Sequence, residues 1–230
     1  MKIKTLVVAF ALAPAALVAA TAHDAHACGM SVRLDPTPQR PTPVQEIARA
    51  EKALENGNNA AAARAVLATF PRIRAATAGQ NPLETRAVRV FALAVTRSDG
   101  ALTEKKLGLP SQGEWVRTAN LEWAVQALRE IDQKRPNDPT VQADLGEALA
   151  RLPHTQGEAM KLLSGLAQKD LMGSPHAYAA LASLKSDRGD LAGAQAATKR
   201  CEEMSKTPGM CRPASPAAKP TVSAVVAAKA

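Results

Sequence analysis

The chain has 230 residues, 46% of them hydrophobic, which suffices for one substantial domain or two small ones around a buried core. Aromatic residues supply only 3%, so alanine, the best helix former and small enough for close helix contact, has to provide much of the packing. Period-two runs of β-branched and aromatic residues between turn residues are absent, which excludes a sheet and predicts an all-α protein.

Lys2 and Lys4 precede an apolar run from Leu6 to about Ala20, followed by small residues in an A-x-A arrangement. This is the three-part pattern of a secretory signal, expected over residues 1–27, and it predicts export to the periplasm or the exterior. The apolar run is shorter than the roughly 20 residues a membrane span needs. Cleavage after Ala22 or after Ala27 fits equally. Cys28 directly after Ala27 resembles the acylated cysteine of a lipoprotein, but Ala25 stands where such a motif takes Leu, so lipidation is the lesser alternative. Loss of residues 1–27 would remove Lys2, Lys4 and Asp24 and leave a net charge of +7. That excess suggests nucleic acid only weakly: the chain is expected to be exported, and Lys206, Arg212, Lys219 and Lys229 place part of the charge in the tail.

Residues 28–43 are proline-rich and predict an extended leader. From Val44 onward the pattern becomes helical. Val44, Ile47, Ala50 and Leu54 share one face, Asn56 to Asn59 break the helix, and Ala62, Val66 and Phe70 follow, giving a pair over about 44–70. Pro82 suits a helix first turn, with Leu83, Ala87, Val90 and Ala94 as its apolar face and Ser98, Asp99 and Gly100 as its end. An irregular insertion is expected over 101–113, then a helix to Lys134 with Leu121, Ala124, Leu128 and Ile131 buried; Trp115 and Trp123 would pack over the insertion. The third and fourth pairs are expected at about 140–170 and 175–205, and a disordered Pro/Ala-rich tail over 206–230.

Tyr178, Leu181, Ala182 and Lys185, then Gly189, Asp190 and Leu191, then Ala194, Thr198 and Cys201 resemble one tetratricopeptide repeat. Leu145, Gly146 and Leu149, with Ala159 and Leu163, restate the pattern, and Gly146 and Ala182 hold the same repeat position 36 residues apart. Ala50, Ala53, Ala62 and Val66 echo it more weakly. The resemblance implies a right-handed solenoid of about four antiparallel helix pairs whose first helices line a concave groove for a protein or peptide. Aligned on the repeat, the groove positions are Glu51, Glu55, Glu147, Arg151, His176, Ser183 and Asp187, an acidic set that favours a basic or hydrogen-bonding ligand.

Three cysteines in an exported chain raise the question of pairing. Cys201 and Cys211, ten residues apart, could staple the start of the tail to the last helix; alternatively Cys201 is a small packed residue and Cys211 a free thiol. No catalytic, cofactor-binding or metal-binding set is expected. His154 and Glu158 are four apart but straddle Pro153 and Gly157, which make a turn, and two ligands do not make a zinc site. His23, His26 and Cys28 could be ligands only if cleavage followed Ala22. Phosphate-loop, zincin, paired C-x-x-C and nucleophile-elbow motifs are absent. The expectation is a non-enzymatic adaptor of the cell envelope, without nucleic acid, cofactor or membrane span in its mature form. A structural helical component, lipid-anchored at Cys28 or packed into a larger assembly, is the alternative; a hydrolytic or metal-dependent enzyme is a third reading.

Overall fold

A computed structural model describes residues 41–76, 79, 81–102 and 117–211. The expected signal peptide, Cys28, most of the leader, residues 103–113 of the insertion, Trp115 and the tail from 212 lie outside the described residues. Among the described residues there are eight α-helices and no strand: α1 (Pro43–Glu55), α2 (Asn59–Thr69), α3 (Pro82–Arg97), α4 (Arg117–Lys134), α5 (Pro139–Leu149), α6 (Gln156–Gln168), α7 (Pro175–Asp187) and α8 (Leu191–Met204). The fold class is all-α. None of these helices is long and apolar enough to cross a membrane.

The odd-numbered helices begin alike. Each has a polar cap followed by proline: Thr42 and Pro43, Asn81 and Pro82, Asp138 and Pro139, Ser174 and Pro175. The cap side chain accepts from a backbone N–H that has no partner within the helix, and proline at the first position gives up an N–H that would be unpaired anyway. Thr42 completes a reciprocal box, accepting from the Gln45 N–H at 3.3 Å while its own N–H donates to Gln45 Oε1 at 2.8 Å. The even-numbered helices lack this signature. α2 and α8 start on Asn58 and Asp190 directly after glycine turns. Gly57 and Gly189 sit there at φ 75° and 78°, a left-handed conformation that strains any residue with a Cβ.

Each odd-numbered helix packs on the helix that follows it, and the odd-numbered helices also touch in sequence, α1 on α3, α3 on α5 and α5 on α7. Each of α2, α4 and α6 packs on the odd-numbered helix that follows it. α3 and α5 are therefore covered on several sides, and ten of the sixteen residues of α3 and eight of the eleven of α5 are buried. Alanines at 50, 62, 87, 94 and 124 are fully buried and let the helices approach closely. The approach is closest at Gly146. A Cβ there would lie 2.5 Å from Leu163 Cδ2 on α6, whereas Ala182 occupies the matching position on α7 without exposure.

Trp123 does not wait on the insertion for its packing. It covers the single 3-10 turn at Ile73–Ala75 between α2 and α3: its Nε1 donates to the Arg74 carbonyl at 3.2 Å, and its ring meets Phe91 edge-on at 5.4 Å. The chain after α8 differs from the expected disordered tail at 206. A 3-10 turn spans Pro208–Cys211, it packs on both α7 and α8, and Cys201 and Cys211 form a disulfide with Cα atoms 5.6 Å apart. Both cysteines are fully buried, so residues 206–211 belong to the helical domain. The turn needs no periodic apolar face because the bridge, with Met210 against the core, supplies its attachment.

Candidate functional site

The odd-numbered helices share one side of the domain, and on it lies a cavity of about 550 Å³. It crosses them obliquely, from Glu51 to Asn56 at the C-terminal end of α1, over Arg89 to Arg97 of α3 and Thr140 to Asp144 of α5, to Gly173 to His176 at the start of α7. The remaining wall is Met204 at the end of α8 and the disulfide-held strap that follows it, through Lys206 and Met210. Its volume falls within the roughly 300–1,000 Å³ typical of ligand sites.

Two ion pairs cross from α3 to α5 beneath and along this cavity. Arg97 grips Glu147 with two parallel bonds, Nε to Oε1 at 2.9 Å and Nη2 to Oε2 at 3.1 Å, and the carboxylate is fully buried. Arg89 Nε donates to Asp144 Oδ2 at 2.5 Å. The early residue of α3 meets the early residue of α5 and the late meets the late, so the two helices run in the same direction. Burial disfavours the charged form of Glu147, but Arg97 overcomes it and holds the carboxyl below its ordinary range. Asp144 has a single arginine bond; burial, reinforced by the neighbouring Glu147 charge, pushes it up to about 6 against the pull of Arg89. His176 is half-buried at the start of α7. Burial pushes it down to about 4, with Arg97 and Arg151 adding to the effect and Glu147 opposing it.

These last two shifts have opposite linkage signs. Asp144 is raised, so the folded state holds its proton more tightly, and stability grows as pH falls from about 6 toward 4. His176 is lowered, so its contribution is present above 6.5 and is lost as pH falls toward 4. Each amounts to up to about 3 kcal/mol, and they offset one another. Relative to the parent at each pH, His176→Asn should therefore gain stability between pH 6.5 and 4, and Asp144→Asn should lose it, in denaturant unfolding curves. Parallel pH profiles for all three proteins would contradict this assignment.

The structure divides the groove positions implied by the repeat. Glu51, Glu55 and His176 line the cavity. Glu51 is engaged by Arg86 of α3, which donates to both carboxylate oxygens, whereas Glu55 is exposed and has no hydrogen bond or ion pair among the described residues. Glu147 is a correction: it is on the inward side of α5 and consumed by Arg97, so it is not presented to a partner. Arg151, Ser183 and Asp187 are not among the residues lining the cavity; Arg151 and Asp187 are exposed beyond or at the ends of α5 and α7, and Ser183 is half-buried on α7. His154 is exposed on the turn before α6, and Glu158 pairs with Arg129 instead. Among the described residues no group of three or more His, Cys, Asp or Glu side chains could hold a metal ion.

Arg89, Arg97, Asp144 and Lys206 are the site residues that sequence reasoning missed. The signal available was on α5, where Asp144 and Glu147 stand within the small and apolar run from Ala143 to Leu149 and thus need buried cationic partners. The apolar face of α3 is legible, but the insertion between α3 and α4 obscures how the second pair aligns with the repeat, and with it the groove positions that include Arg89 and Arg97. No protein-family model, no curated protein and no solved structure matches the chain.

Proposed function

We propose that the protein is a non-enzymatic binding adaptor, a tetratricopeptide-like array of helix pairs that takes a peptide or an extended segment of a partner protein into the cavity across α1, α3, α5 and α7. The observation that carries this reading is the common placement of all four odd-numbered helices along one cavity. Stacked helix pairs leave such a surface because each pair buries only part of its apolar face against the next. The repeated polar-proline starts of α1, α3, α5 and α7 support four equivalent units. Engagement of Asp144 and Glu147 by arginines favours a shaped binding surface over proton-transfer chemistry. The amino-terminal signal pattern and the Cys201–Cys211 bridge support export to an oxidising compartment such as the periplasm.

Thr140 is exposed and lines the cavity, so Thr140→Trp should block it without disturbing the core. Display of a random peptide library on the purified oxidised protein is expected to enrich peptides that bind the parent and lose at least tenfold in affinity for Thr140→Trp. Peptides held equally by both proteins would place recognition elsewhere.

A further inference from the structure

The charges around the cavity are not evenly satisfied. Along its middle, Arg89 and Arg97 are neutralised by Asp144 and Glu147. At the α1 end stands Glu55, without an ion pair or hydrogen bond among the described residues, beside Glu51. Glu55 is also in the last turn of α1, where the helix carbonyls add partial negative charge, so an incoming cation meets both. Lys206 stands on the wall formed by the strap, likewise exposed and without an ion pair among the described residues, and it does not pair with Glu55. Its backbone is tethered between Cys201 and Cys211. Leu54, Val90, Leu93 and Met204 also line the cavity, and Met204 keeps 37% of its surface exposed. Unbranched methionine adapts to varied apolar side chains.

Resting on the peptide-binding reading above, we infer that the cavity selects an extended segment that carries a cationic side chain for Glu55, a carboxylate for Lys206 and an apolar side chain for the lining of Leu54, Val90, Leu93 and Met204. Charge complementarity sets this composition, because the two unpaired side chains are of opposite sign and Arg89, Arg97, Asp144 and Glu147 are already paired with one another. Matching both ends also desolvates less uncompensated charge than matching one, so a segment with like charges at its two ends leaves a repulsive contact.

The test uses the oxidised protein and three labelled peptides with blocked termini, Lys-Ala-Leu-Ala-Glu, Lys-Ala-Leu-Ala-Lys and Glu-Ala-Leu-Ala-Glu, followed by fluorescence anisotropy. The mixed peptide should bind the parent about three- to tenfold more tightly than either like-charged one. Glu55→Lys should shift the preference to the doubly acidic peptide, and Lys206→Glu to the doubly basic one. Equal binding of all three peptides, or unchanged preference in both variants, would overturn the charge selection while leaving peptide binding in place. Display that enriches no peptide sensitive to Thr140→Trp would remove both readings.

Discussion

Glu147→Ala is expected to cost about 3–5 kcal/mol of folding stability, while Arg97→Met combined with Glu147→Leu costs much less. The single change leaves the Arg97 guanidinium, 9% exposed, facing a void without its hydrogen-bonded carboxylate, and only the charge of Asp144 remains near it. Removing both charges also removes the desolvation cost that the pair carries, and apolar side chains of similar size keep the α3–α5 contact filled. Guanidinium unfolding at pH 7 checks this. A double variant as unstable as Glu147→Ala would mean that the two residues do not act as a pair. The distinction bears on function, because a loss of binding in any Glu147 variant would report unfolding of the α3–α5 layer rather than loss of a partner contact.

Replacing both Cys201 and Cys211 with serine is expected to lower stability by about 3 kcal/mol, the chain-entropy cost of freeing a loop of this length. The larger consequence is local. Met204, Lys206 and Met210 form a wall of the cavity, and their segment is held by the bridge and by one 3-10 turn on α7 and α8. Without the bridge this strap should open at a free energy well below that of global unfolding. Hydrogen exchange at Met210, whose N–H donates to the Thr207 carbonyl, should accelerate far more than exchange in α3 or α5. Acceleration at Met210 no greater than in α3 or α5 would show instead that the bridge acts on the whole fold alone and does not hold the strap. Because both sulfurs are fully buried, a mild reductant should leave the native protein intact.

The helices were legible where a local signal sufficed. Leu145, Gly146 and Leu149 marked α5, and the close approach of Leu163 explains why glycine stands there. Gly57 and Gly189 marked the turns within the first and last pairs, where a left-handed residue is required. Of the polar-proline starts, Pro82 is legible alone as a helix first turn, whereas Pro43 reads as the end of the leader until the four are aligned. The site was less legible, because repeat position assigns a residue to a helix face without showing what lies opposite. Glu147 has the spacing of a groove residue, yet Arg97, 50 positions earlier, turns it into part of the core. Likewise the strap has no periodicity to read, and its place depends on one covalent bond and on packing against α7.

Hydrogen exchange of the oxidised protein, with and without a saturating display-selected peptide, tests the central claim most directly. The account predicts new protection at the C-terminal end of α1 (residues 51–56), the start of α7 (173–176) and the segment from Met204 through the strap (204–210), with α2 and α6 unchanged. Protection confined to α2 or α6, with those three segments unaffected, would contradict it.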